Sequence, residues 1–238
     1  MIHHLMDRMK SASKNFDKLK EDIKEQNDFI KKGCERIKNY YNLPVEKREA
    51  ETRLVKPPHE ILLEKSVETI ELGLYSKEDA KTEWPERESI GFNYILIGVG
   101  TEILLKAIFL KEQPDSFIKE INEGKNTCHA PGFGKCKKWL INFLREKISP
   151  THCERVKDIL KLIQLKRNNL AHLDFHKISN YTEDYQVANV LRFLFLYFFK
   201  ENSSTIVKKL DKVKEETRVT YDLIDYQPVE FDECFERV

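Results

Sequence analysis

The chain has no surplus of charge of either sign. Its 238 residues hold 41 lysines and arginines against 40 aspartates and glutamates, a formal net charge of +1. A field that gathers polyanions over the whole surface is therefore excluded, and any nucleic-acid contact must come from a local patch. An apolar run able to span a bilayer is also missing. The longest candidate, Tyr94 to Leu110, is interrupted by Glu102 and Lys106 and is too short and too polar. No membrane contact is expected. The first residues, Met1-Ile2-His3-His4-Leu5-Met6-Asp7-Arg8, lack a sustained apolar core, so no secretion leader is expected.

Paired cysteine spacing is absent too. Cys34, Cys128, Cys136, Cys153 and Cys234 are scattered and odd in number, which predicts free thiols in a reducing cytoplasm. Cys128-His129, Cys136 and His152-Cys153 surround one short predicted helix, but without a Cys-x-x-Cys pair they do not make a zinc pattern. Neither a metal nor another cofactor is expected. Gly132-Phe133-Gly134-Lys135 lacks the Walker spacing and the preceding strand of a phosphate loop, and reads as a connection. There is no internal repeat and no low-complexity tract.

What is present is helical periodicity, and the fold class it predicts is all-α: a helical bundle with an N-terminal helical arm and a short C-terminal tail. Residues 1–56 read as the charged arm and its linker, 57–216 as the bundle, and 217–238 as a tail or small edge element. In the arm, Leu5, Met9, Ala12, Phe16, Leu19, Ile23, Gln26, Ile30, Gly33, Ile37 and Tyr40 alternate spacings of four and three, a heptad seam. Such a seam serves either a coiled coil or a long helix lying on its own domain. Pro44 and Pro57-Pro58 bracket a linker over 42–59. Helices follow over about 60–74, 89–111, 136–147, from Thr151 to the 167–172 segment near its C-terminal end, 183–200 and 203–216, with a loop over 173–182. Thr151-His152-Cys153-Glu154 reads as a capping box. Arg218 to Ile224 alternates like a strand.

Two charges interrupt apolar stripes. The stripe of the helix after Thr151 is Val156, Ile159/Leu160, Ile163 and Leu170, and Arg167 stands where it should continue. A guanidinium there is costly unless paired. The nearly continuous apolar helix before it carries one acid, Glu102, between Glu88 and Glu112. Glu102 is expected either to face Arg167 across the helices or to pair with Lys106 one turn on. Asn168 and His172 are four apart and share a face, with Arg167 beside them. Arginine, amide and imidazole form an anion-directed set. RNA brings its own nucleophile, the 2′-hydroxyl, so cleavage needs proton transfer from a group such as His172 and charge neutralisation from one such as Arg167. One histidine cannot easily make both transfers, and a two-fold dimer would bring the second. Lys135, Lys137, Lys138, Lys166 and Lys177 are candidate RNA contacts, with Lys125 and Lys161 nearby.

Arg167-Asn168-Asn169-Leu170-Ala171-His172 resembles the signature of the HEPN superfamily: an arginine, usually a polar residue next, and a histidine after four to six intervening residues. Gly100 to Leu110 is similar to that family's preceding core helix, and the helix at 183–200 follows in the expected order. The resemblance covers roughly residues 60–202. It implies a HEPN-like bundle that dimerises and often acts as a metal-independent endoribonuclease, in toxin–antitoxin pairs, phage defence or RNA processing. It makes Arg167, Asn168 and His172 the catalytic set, with Glu102 in support, and the products a 2′,3′-cyclic phosphate and a 5′-hydroxyl. RNA, a second copy and an antitoxin or other protein are the implied partners. In one toxin branch a tyrosine two residues past the histidine is modified by the antitoxin. Asp174 stands there in this chain, so that route would need Tyr181 or Tyr185. Some members have lost catalysis and bind RNA, nucleotide or protein instead, which is the alternative reading. A purely structural dimer through the heptads is a third.

Overall fold

The computed structural model describes residues 24–25, 28–52, 56–74, 93–123, 128–171, 181–200, 204–222, 230–231 and 234. It is all-α. Among the described residues the helices are α1 (28–42), α2 (Val45–Thr52), α3 (Pro58–Gly73), α4 (Tyr94–Glu112), α5 (Pro114–Lys119), α6 (Phe133–Leu144), α7 (Pro150–Ala171), α8 (Tyr181–Phe199) and α9 (Ser204–Asp222). Extended pairing among them is limited to a two-residue antiparallel ladder, Asn122 opposite His129 and Glu123 opposite Cys128, and a single bridge residue, Leu74. No helix among the described residues is long and apolar enough to cross a membrane. The chain divides into two compact units, Met1–Pro58 with Gln113–Pro131, and His59–Glu112 with Gly132–Val238.

In the first unit, the segment expected to be a linker contains α2. Pro44 starts it: the amides of Lys47 and Arg48 both donate to the Pro44 carbonyl at 3.0 Å. A proline is suited to the first turn of a helix, so the residue read as a stop is also a start. The heptad expectation falls largely on residues 1–23, outside the described residues. Within α1 the buried positions are Cys34 and Tyr41, one residue on from the predicted Gly33 and Tyr40, while Ile30 stays exposed.

In the second unit α4 is central. It packs on α6 and α7; α6 packs on α7, α7 on α8, and α8 lies along α9. Its apolar residues go nearly all round, as a helix with neighbours on several sides requires. Asn93 caps it, its Oδ1 accepting from the amides of Ile95 and Leu96 at 3.2 and 3.4 Å. The crossing of α3 over α4 is close because Gly100 has no side chain. A Cβ there would lie 2.6 Å from Ile70 Cγ1 and 3.1 Å from the Ile70 amide nitrogen. Ser66 Oγ donates to the buried Gly100 carbonyl at 2.9 Å. A row of rings ties the far ends together: Phe109 stacks on Trp139 at 4.3 Å, Trp139 on Phe143 at 5.4 Å, and Phe143 meets Phe198 at 5.9 Å.

Two local expectations are corrected. The cap of α7 is Ser149, not Thr151. Ser149 Oγ accepts from the His152 amide at 3.3 Å, Pro150 fills the first helical position, and the Ser149 carbonyl accepts the first helical bond from Cys153. The predicted strand from Arg218 is helical as far as Asp222. Its alternation is shorter than the helical stripe it continues, Ile206, Leu210 and Thr217, all buried. Two described residues beyond α9, Phe231 and Cys234, are also buried. Phe231 is 1% exposed and stacks on Phe193 at 4.6 Å. Its neighbour Glu230 is a junction. The Tyr185 hydroxyl and Lys214 Nζ donate to its carboxylate, and His152 Nε2 donates to its carbonyl at 2.7 Å.

Candidate functional site

Arg167 lies in the last turns of α7, where that helix crosses α4. The crossing is close at Gly98: a Cβ there would lie 2.7 Å from both Cβ and Cδ of Arg167. The bare glycine backbone is the floor on which the arginine stem lies. From there the guanidinium reaches Glu102 one turn along α4, Nη1 donating to Oε2 at 2.6 Å. The cross-helix pair expected from the sequence forms, and so does its rival. Lys106 Nζ donates to the other carboxylate oxygen, Oε1, at 2.8 Å. Glu102 therefore bridges two cations. Burial works to raise its carboxyl, but the hydrogen bonds and charges of Lys106 and then Arg167 outweigh this and hold it below the usual range.

Arg167 Nε also faces Asn168 Oδ1 at 3.4 Å, and the guanidinium carbon lies 5.6 Å from the centroid of Phe133 at the start of α6. That distance suits a cation over a ring face. The Arg167 side chain keeps 23% of its surface exposed. Among the described residues no acceptor faces its Nη2. Among the described residues this planar donor is held on three sides and has no partner on the fourth, the arrangement an incoming oxyanion uses. His172 and Lys177 lie outside the described residues, as does most of the loop expected at 173–182; its last two residues, Tyr181 and Thr182, instead open α8.

The candidate lysines separate. Lys135 and Lys138 are exposed on α6. Lys137 is half-buried and donates to Gln164 Oε1 of α7 at 2.9 Å. Lys166 is corrected as an RNA contact. It is 8% exposed, turned away from Arg167, with its ammonium on Glu183 and 4.3 Å from the centroid of the Tyr94 ring. Adjacent residues on a helix point about 100° apart, so Lys166 meets α8 where Arg167 meets α4.

Lys166 belongs to a buried polar network that reading along the chain does not reveal. The Tyr94 hydroxyl donates to Asp184 Oδ1 at 2.5 Å, and Tyr94 and Asp184 are 3% and 2% exposed. Burial, opposed by the Tyr94 hydrogen bond and the Lys166 charge, pushes Asp184 up to about 6. Burial and the neighbouring Asp184 charge raise the Tyr94 hydroxyl well above its ordinary value. The network fastens the start of α8 to α4 and to the end of α7, on either side of the segment that carries His172. Gly98, Tyr94 and Asp184 were not candidates in the sequence. A glycine in an otherwise apolar helix and a Glu-Asp pair at a helix start were the available signals.

Among the described residues no three His, Cys, Asp or Glu side chains gather as a metal-binding set. Cys153 donates to the Ile141 carbonyl at 3.6 Å, and His152 Nδ1 lies 2.6 Å from Ser149 Oγ, so both have structural partners.

No model of a known protein family matches the chain, and neither a curated protein nor a solved structure matches it.

Proposed function

We propose that this protein is an endoribonuclease of HEPN type, acting in the cytoplasm as a toxin or phage-defence effector. The observation that carries the reading is the Arg167 guanidinium, fixed by Glu102, Asn168 and the Gly98 floor yet open to an anion. In this reading Arg167 neutralises the phosphate as charge develops on it. Asn168 orients the guanidinium from one side. His172 moves the proton at the 2′-hydroxyl or at the leaving 5′-oxygen, and a second copy of the chain brings the other histidine. The 2′-hydroxyl attacks the adjacent phosphorus, the bond to the 5′-oxygen breaks, and a 2′,3′-cyclic phosphate and a 5′-hydroxyl remain. The protein supplies charge and protons to a nucleophile that RNA carries, so no metal step is needed.

Incubation of end-labelled RNA with the pure protein, with and without chelator, tests this. Wild type is expected to give cyclic-phosphate ends in both conditions, and His172→Ala and Arg167→Ala to lose cleavage. Equal cleavage by all three would overturn the reading. Binding of RNA without cleavage by wild type would favour the non-catalytic module.

A further inference from the structure

Lys137 on α6 and Lys161 on α7 have no acidic partner among the described residues, and they are close enough for Lys161 to lower the affinity of Lys137 for its proton, an effect second to burial. Lys157, the next basic residue back along α7, is by contrast engaged by Glu154 at 2.6 Å. Lys137 Nζ is anchored at 2.9 Å on Gln164 Oε1. That contact spends the oxygen of the glutamine and leaves its NH2, with two donors. Lys161, Gln164 and Arg167 follow one another at intervals of three along α7, and Phe133 lies beneath both Lys137 and Arg167, at 6.0 and 5.6 Å from its ring centroid. Lys137, Lys161 and Gln164 therefore bring two ammonium groups and an amide NH2 to one stretch of the contact between α6 and α7. Two like charges held together with donors only are a cost that an anion removes.

We infer that Lys137, Lys161 and Gln164 form a second phosphate subsite, one that holds a neighbouring phosphate of the same single strand whose reacting phosphate lies at Arg167. The inference rests on the ribonuclease reading for the identity of the strand. Gln164 is about 4.5 Å and Lys161 about 9 Å from Arg167 along the helix axis. At about 3.4 Å between phosphates along the axis of a stacked strand, offsets of this size place the subsite within a few nucleotides of the reacting phosphate. The strand then runs along α7 toward its N-terminal end, on the side where α6 packs. The reaction at Arg167 is unchanged; the subsite sets where along the strand it occurs and gives longer RNA an advantage over a dinucleotide.

The test uses an eight-nucleotide single-stranded RNA with every 2′-hydroxyl methylated, which binds but has no nucleophile. Its affinity is measured from 50 to 300 mM salt for wild type, Lys161→Gln, Lys137→Gln with Lys161→Gln, and a charge-matched control, Lys65→Gln with Lys208→Gln. The double variant is expected to bind on the order of tenfold more weakly near 0.1 M salt. Its slope of log affinity against log salt should shrink by about 1.4, the loss of two phosphate contacts at ~0.7 each. Lys161→Gln, an exposed position that leaves packing intact, is expected to lose about half of that slope. Slopes equal to those of the control, with Arg167→Gln still weakening binding, would overturn the subsite and leave the Arg167 site standing. Absence of binding by wild type would overturn both.

Discussion

Lys166 and Arg167 are neighbours on one helix, carry the same charge and each face a carboxylate, yet they live in different surroundings. Lys166 is turned into the junction with α8, where Glu183, Asp184 and Tyr94 surround it. Arg167 lies over Gly98 on α4, shares Glu102 with Lys106 and keeps part of its guanidinium in solvent. In the first place the cation is itself buried and compensates the buried Asp184 and the partly buried Glu183. In the second, the acid has a spare partner and the cation has a spare edge. A charge on an apolar stripe is therefore not by itself a sign of function. What separates a structural charge from an available one is whether its partners depend on it.

The largest expected difference follows from removing Lys166. Lys166→Ala leaves the buried Asp184 without the charge of Lys166 and Glu183 without its ion-pair partner. Losing one member of a buried charged set costs about 3–5 kcal/mol. Urea unfolding near neutral pH is expected to show a loss of that size. A loss under 1 kcal/mol would show that the network carries no stability and would remove the contrast with Arg167.

The same network makes stability depend on pH in a defined window. Asp184 rises from 3.8 to about 6 on folding. The folded protein holds this proton more tightly than the unfolded chain, so its contribution is fully present below about 4 and is lost as pH rises through about 6. Two units correspond to about 3 kcal/mol. His59 acts in the opposite sense: burial, then Lys111, lowers it from 6.5 to about 4, so its contribution is present above 6.5 and is lost as pH falls through 4. Comparing wild type with Asp184→Asn cancels the histidine. Between pH 4 and 7 the stability difference is expected to move by about 3 kcal/mol in favour of the variant. A pH-independent difference would place the titration elsewhere.

Reading along the chain reaches one side of this comparison and not the other. Arg167 and Glu102 stand out because each interrupts an apolar run, and their pairing is one of two expectations for Glu102, the other being Lys106; both pairs form. The nearly continuous apolar character of 94–110 likewise made α4 central. Lys166 looks like any lysine on an exposed flank, because its partners come from α8 and from the first turn of α4, at sequence distances no periodicity registers. Local rules also misplaced the α7 cap: Thr151 and Glu154 satisfy the capping-box pattern, but Pro150 cannot donate an amide and belongs inside the helix, which moves the cap to Ser149. Gly98 is legible only once α7 is laid on α4.

Gly98 gives the next effect in size. Gly98→Ala puts a methyl 2.7 Å from the Arg167 stem, so side chain or helix must shift. Overpacking of this kind costs about 1–3 kcal/mol. If it lifts the guanidinium from Glu102, RNA cleavage is expected to fall while the second subsite keeps its salt-dependent binding. A control at Gly134, where a Cβ meets nothing within 4 Å, should leave the α4–α7 contact intact. Equal stability losses at the two glycines would mean that close approach at Gly98 is not what positions Arg167.

The smallest change in stability is expected at Arg167 itself. Arg167→Ala leaves Glu102 with Lys106 at 2.8 Å and partly in solvent, so the carboxylate is not stranded. A half-exposed ion pair is worth about 1 kcal/mol or less, and the stem on Gly98 adds a little packing. Cleavage should nevertheless fall by about 100-fold or more, the scale for losing a donor aimed at developing charge. Arg167→Lys should not restore it, since a lysine cannot face Glu102 and a phosphate with one planar group. The adjacent substitutions Lys166→Ala and Arg167→Ala thus differ in opposite directions, the first in unfolding and the second in turnover. If both variants instead lose several kcal/mol of stability, Arg167 is a second structural cation, and the open edge of its guanidinium has no part in chemistry.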